Sequence, residues 1–131
     1  MDELQEYVDR YDNGQLRFRF KYYKNGKKTG PYEWYHPNGQ LKERVNFKDG
    51  EPDGIQEEWY ENGQILLRCN YKDGKSDGLY EVWYRNGQLG VRGNFKNDKR
   101  DGLWEDWDEN GQLKERSNWK NGIIVALNLE K

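Results

Sequence analysis

The chain holds one histidine, His36, and one cysteine, Cys69. A thiol beside an imidazole becomes a nucleophile only when the two reach each other and a third group orients the base. Position gives both residues plainer roles. Cys69 fills a slot held by Val45, Gly93 and Ser117 in related stretches, which marks a small filler. His36 stands where Tyr60 and Tyr84 stand, at the end of a run. Carboxylates offer two further chemistries. "KDGEPDG" gathers Asp49, Glu51 and Asp53, but its sister stretches place Lys, Ser and Arg there, and no D-x-D-x-D-G calcium loop occurs. Glu57 with Glu58, or Glu105 with Asp106, would supply the two acids of glycoside hydrolysis. Neighbours on a strand point to opposite faces, so neither pair converges on one substrate. The glycine-rich stretches lack the G-x-x-x-x-G-K-[ST] phosphate cradle. The expectation is a protein with no catalytic residue, no metal and no cofactor.

Aromatic residues are the other chemistry-bearing set, at 15% of the chain. Trp59, Trp83 and Trp107 recur at one slot, with Tyr60 and Tyr84 at the next. Stacking inside the fold explains such rows, yet aromatics beside arginine are also typical of binding hot spots. Specificity belongs to positions that vary from copy to copy, the slots Trp34/Glu58/Val82/Asp106 and Tyr32/Gln56/Tyr80/Trp104. Tyr32, Trp34, Glu58, Tyr60, Tyr80, Val82, Tyr84 and Trp104 therefore form the candidate partner-binding surface.

The elements that position these residues follow from a repeat. The Gly of each Asn-Gly-Gln falls at 14, 39, 63, 87 and 111, steps of 25, 24, 24 and 24 residues. A second series, Gly30, Gly54, Gly78 and Gly102, also steps by 24. Such periods indicate a repeat architecture. Each period contains two short aromatic and aliphatic runs. Asn-Gly between them reads as a tight hairpin turn with both residues at positive φ, and "KDGEPDG" and its sisters read as six-residue loops. No segment between glycines exceeds about two helical turns, so helix is unsupported. Counting outward from Asn-Gly sets Glu33 against Arg44, Glu57 against Arg68, Glu81 against Arg92 and Glu105 against Arg116. Opposite charges directly across two strands contribute roughly 0.2–1 kcal/mol per pair, so the recurring letters specify the register.

Alternation places this ladder on one face with Tyr35, Trp59, Trp83 and Trp107. Leu41, Ile65, Leu89 and Leu113 then fall on the other, with Phe47, Tyr71, Phe95 and Trp119. Neither face is wholly apolar, which argues against a sandwich or a filled barrel. The expected fold is all-β: a single-layer, elongated, twisted antiparallel meander of ~24-residue hairpin repeats with about 10–11 strands. Residues 1–131 form one domain, with a cap strand at 1–14, hairpin repeats over 15–122 and a second cap strand at 123–131. In the first unit Arg19 faces Val8, so the ion pair is missing there, and an extra residue between Gly14 and Gly26 suggests a bulge at Tyr22-Tyr23. Ile123, Val125, Leu127 and Leu129 would close one edge.

Composition bounds the function. Leu, Ile, Val and Phe supply only 24 of 131 residues, a share that leans toward disorder. A net charge of −2 and the aromatic content pull the other way, giving a folded chain with a thin core. Near-neutrality argues against nucleic acid or anionic membrane as partner. No apolar run approaches the ~20 residues of a membrane helix, and the start "MDELQEYVDRYDNG" lacks a secretory leader pattern. A single cysteine permits no internal disulfide. The expected location is cytoplasmic.

The unit D-G-x-x-E-x-W-x-x-N-G-Q-L-x-x-R-x-N-(aromatic)-K-(N/D)-G, from about Tyr11 to Gly122, resembles the MORN-repeat variant family. Asp98, where a loop Gly is usual, and Val8 and Arg10 depart from the pattern. The resemblance implies an elongated antiparallel sheet and a non-catalytic binding role. Bacterial members of the YwqK type are regarded as antitoxin or immunity proteins, which implies a protein partner, in the sharpest form a cognate toxin. Two alternatives are a glycan- or cell-wall-binding module built on the aromatic rows and a membrane-associated scaffold. Oligomeric state is left open, an edge-strand dimer being one arrangement the pattern permits.

Overall fold

Short runs bounded by Asn-Gly-Gln and Lys-(Asn/Asp)-Gly fold as strands, because their β-branched and aromatic residues alternate with charged ones. The computed structural model describes residues 3–129. The first six strands are β1 (Leu4–Arg10), β2 (Leu16–Tyr23), β3 (Lys28–Tyr35), β4 (Leu41–Lys48), β5 (Glu51–Trp59) and β6 (Ile65–Lys72). The remainder are β7 (Lys75–Ser76), β8 (Gly78–Trp83), β9 (Leu89–Lys96), β10 (Lys99–Trp107), β11 (Leu113–Lys120) and β12 (Ile123–Leu129). They build one open antiparallel sheet in sequence order, with β7 and β8 both alongside β6. No helix occurs among the described residues. Residues 1, 2, 130 and 131 of the two expected cap strands lie outside the described residues. At ~4.8 Å per strand the meander runs about 48 Å.

The register matches expectation: Glu33 faces Arg44, Glu57 faces Arg68, Glu81 faces Arg92 and Glu105 faces Arg116. The turns that produce it are exchanged relative to the sequence reading. At Asn38-Gly39 only the glycine has positive φ, 90°. The Gly39 N–H donates to His36 O at 2.9 Å and the His36 N–H donates to Gln40 O at 2.8 Å, closing a three-residue loop. A bulge after Leu41 then restores the register that a two-residue count had implied. The tight turns are the others. Asp49 and Gly50 have φ of 52° and 82°, and Lys48 pairs directly with Glu51. What read as a six-residue loop is a two-residue turn whose strand resumes at once and bulges near Asp53-Gly54. The first unit differs because its extra residue sits in the turn: the Tyr23 N–H donates to Lys27 O at 2.9 Å, a three-residue loop at Asn25-Gly26, not a bulge at Tyr22-Tyr23.

The bulges also move a row between faces. Tyr35 pairs with Leu41, Trp59 with Ile65, Trp83 with Leu89 and Trp107 with Leu113. Direct partners share a face, so these aliphatic residues lie on the Glu–Arg ladder face beside the tryptophans, not on the opposite one as simple alternation implied. Ile55, Leu79 and Leu103 join them there as an exposed row, at the slot that Pro31 fills in the first hairpin.

The thin core lies on the other face. Tyr7, Phe18, Phe20, Tyr32 and Trp34 stack at ring separations of 5.2–6.4 Å, and Tyr80, Phe95 and Trp104 form a second cluster. Small residues opposite the aromatics keep this layer close: Val45, Cys69, Gly93 and Ser117, all buried. A Cβ added to Gly93 would stand 1.9 Å from the Trp104 ring, so this slot takes no larger residue without displacing the indole.

Repeats are stitched at both sheet ends. Tyr11, Tyr60 and Tyr84 donate their hydroxyls to the carbonyls of Tyr35, Trp83 and Trp107 at 2.6, 2.6 and 2.7 Å. His36 takes the same role, its Nε2–H donating to Trp59 O at 2.9 Å. The turn asparagines act twice: Asn86 Oδ1 accepts from the Gln88 N–H at 2.9 Å while its Nδ2 donates to Glu109 O at 2.9 Å in the next repeat. At the opposite end the Gly50 N–H donates to Lys28 O and the Gly122 N–H to Arg100 O, each at 2.9 Å.

Two substitutions separate packing from charge pairing. Gly93→Ala should lower stability by about 3 kcal/mol, at the upper end of overpacking effects. Arg68→Ala, at a half-exposed guanidinium, should cost no more than ~1 kcal/mol. Urea midpoints at unchanged m-value measure both, and equal losses would contradict the assignment of the core to the aromatic face.

Candidate interaction surface

On the ladder face the carboxylates are the sheltered partners and the arginines the outer ones. Glu81 is buried and accepts from Arg92 Nη2 at 3.0 Å. Glu57 and Glu105 accept from Arg68 and Arg116 at 2.9 and 3.0 Å. Glu33 is held from both sides, by Arg19 at 2.9 Å and Arg44 at 3.1 Å. This corrects the reading of an unpaired first unit: Arg19 does face Val8 on β1, but its other neighbour, on β3, is Glu33. The row thus alternates in charge from Arg19 to Arg116, with every glutamate paired and one arginine in excess because Arg19 and Arg44 share Glu33.

The candidate partner-binding residues fall mainly on the other face. Tyr32, Trp34, Glu58, Tyr80 and Val82 are half-buried there. Trp104 is the exception, at 2% exposure. Its Nε1–H donates to Asn94 O at 3.1 Å and Arg100 covers the ring at 4.1 Å, so it packs the sheet and offers no surface. Tyr60 and Tyr84, tied by their hydroxyls to neighbouring repeats, border with Arg85, Asn86 and Glu109 a surface hollow of about 450 Å³. Trp59, Trp83 and Trp107 are half-buried on the ladder face, with the Arg68 guanidinium 6.0 Å from the Trp83 centroid.

The residues singled out for chemistry are dispersed. His36 is spent on Trp59 O. Cys69 packs against Gln56, its Sγ 3.8 Å from Oε1, and burial pushes its thiol up to about 11. Asp49 lies in a tight turn and Asp53 on β5. Among the described residues no group of three His, Cys, Asp or Glu is placed to hold a metal ion.

A feature that the sequence reading missed is a pair of acid–acid contacts across strands. Glu43 of β4 lies directly opposite Glu58 of β5, and Asp106 of β10 opposite Glu115 of β11. Neither pair has a salt bridge among the described residues. Like charges so placed destabilise a strand pair, and they do so on the same sheet whose other face matches Glu to Arg throughout. The bulge lysine Lys42 is close by, its Nζ 5.3 Å from the Trp34 centroid. Glu43 against Glu58 becomes legible only once Asp49-Gly50 is known to be a two-residue turn followed by a bulge.

These environments have opposite signs in acid. Burial raises Glu43, with the facing Glu58 adding to it, and burial raises Glu58, in both cases against Lys42. Burial would also raise Glu33, but hydrogen bonds from Arg19 and Arg44 outweigh it and hold that carboxyl below the usual range. A group raised in the folded state binds its proton more tightly there, so stability should rise as pH falls from neutral through the upper carboxylate range. A depressed group acts in reverse, so stability should then fall below the usual carboxylate range as Glu33 takes its proton. Chemical denaturation across pH should show this maximum in mild acid for the wild type, and Glu43→Gln/Glu58→Gln should flatten its rising arm.

The MORN repeat variant matches four stretches, residues 28–49, 52–73, 76–97 and 100–121. No curated protein matches the chain. Each matched stretch corresponds to one hairpin, β3–β4, β5–β6, β7 to β9 and β10–β11, with one Glu–Arg pair inside it. With four such hairpins in tandem over more than half its length, the chain belongs to the MORN repeat variant family.

Proposed function

We propose that this repeat protein is a non-catalytic protein-binding module that engages its partner through the aromatic face, in the manner of an antitoxin or immunity protein that neutralises a cognate toxin. The observation that carries this reading is acid set against acid on that face, with Lys42 close to one pair but no salt bridge to either among the described residues. Glu43–Glu58 and Asp106–Glu115 oppose like charges, whereas the ladder face pairs each glutamate with arginine. Local choices that work against the fold are most often kept where function needs them. The two acid pairs lie five strand spacings apart, about 24 Å, with Leu67, Val82 and Val91 between them. A protein presenting lysine or arginine at both ends of an apolar patch is the complementary surface. Opposite potentials of this kind speed encounter and set orientation, and half-buried Tyr32, Trp34 and Tyr80 supply the contact area.

Affinity capture with wild-type and Glu43→Lys/Glu58→Lys baits, in parallel, tests this. The wild type should retain a basic protein that the charge-reversed bait loses, while Glu57→Gln on the opposite face leaves capture unchanged. Equal capture by all three baits would contradict use of this face. Retention of no protein, together with tryptophan emission that shifts on titration with oligosaccharides, would favour carbohydrate as the ligand of the aromatic clusters.

A further inference from the structure

We propose that β12 is a self-association edge, and that two copies of this chain join antiparallel through it into one continuous sheet with a two-fold axis normal to the sheet. This goes beyond the partner-binding reading and does not depend on it. Strands that follow a Lys-x-x turn share a glycine four residues beyond that turn, at Gly30, Gly54, Gly78 and Gly102, each with positive φ. These glycines mark the irregularities where β3, β5, β8 and β10 lose register with the preceding strand by two residues. After the Asn121-Gly122 turn the same slot holds Ala126, which has no such conformation. β12 keeps its pairing with β11 through a single shift. Of the devices by which edge strands avoid pairing, bulges, charges and prolines, β12 keeps only the one-residue bulge at that shift. Residues 121–129 contain no charged side chain and no proline.

The side chains along this strand are left in water on both faces. Ile123 is 68% exposed and Val125 61%, with Ile124 and Leu127 also exposed. Among the described residues no strand lies outside β12. The opposite edge, β1, has its own deterrents, Glu6, Asp9 and Arg10. Head-to-tail addition of β1 to β12 would set those charges against Ile and Val. Antiparallel pairing of β12 with another β12 sets apolar against apolar on both faces, satisfies the open backbone edge and closes after two copies. Because such an axis preserves the sense of each face, the dimer presents both aromatic faces on one side.

Sedimentation velocity on the full chain over a concentration series is the test. The wild type should move from one to two chain masses as concentration rises. Ile123→Lys/Val125→Lys should halve the mass at the highest concentration with an unchanged far-ultraviolet circular dichroism spectrum, since both side chains are exposed. Leu79→Lys/Leu103→Lys, on the exposed row of the ladder face, should leave the dimer intact. A wild type that stays monomeric, a species larger than two copies, a dimer indifferent to the edge lysines, or one lost through the ladder-face variant would each overturn the proposal. Should the edge variant fail to fold, hydrogen exchange of the wild type decides: protection of β12 amides must grow with concentration, and concentration-independent exchange refutes pairing there.

Discussion

A sheet one layer thick has no second layer to hold it, so each strand depends on the strands beside it. The structure meets that constraint with bonds that cross exactly one repeat. Tyrosine hydroxyls, the His36 imidazole and the turn asparagines all donate to backbone carbonyls of the next hairpin. Each removes a carbonyl or turn group from an unsatisfied state, and each works only if its acceptor recurs at a fixed offset. The 24-residue step is therefore a distance requirement written into sequence, and it explains why Asn-Gly-Gln persists while its neighbours drift.

The two faces solve different problems. On the ladder face charge is cancelled locally, with carboxylates sheltered under arginines whose outer edges stay in water. The aromatic face is built by volume exchange: where the row carries Trp104 its neighbour is Gly93, and where it carries Gln56 its neighbours are Val45 and Cys69. Close packing of large against small gives a single layer as much burial as it can reach. It also leaves positions in the adjoining row, Glu43, Glu58, Asp106 and Glu115, that no packing rule explains.

The binding role we propose has a physical reason in the shape of the chain. Catalysis needs groups converging on one enclosed volume, whereas strands laid side by side project their side chains outward in parallel rows. The same geometry favours extended contact and leaves sheet edges as natural joints. Valency and surface are then linked, since growth at an edge multiplies whichever face is used.

By itself the sequence determined the repeat, the absence of helix among the described residues, the four Glu–Arg pairs and the one-layer meander, because these depend on period and on opposite charges at matched offsets. It also marked Cys69 as filler and His36 as a strand-end residue from the company of their slots. Tertiary structure decided the rest. Whether Asn-Gly or Asp-Gly takes the tight turn depends on which backbone bonds close, not on the dipeptide, and Asn38 spends its side chain on the next repeat. The bulge beside each Asn-Gly-Gln turn then carries Leu41, Ile65, Leu89 and Leu113 to the ladder face, and the bulge after Asp49-Gly50 brings Glu43 opposite Glu58. A shift of one residue exchanges the two faces, so these outcomes turn on irregularities that the alternation of letters does not encode.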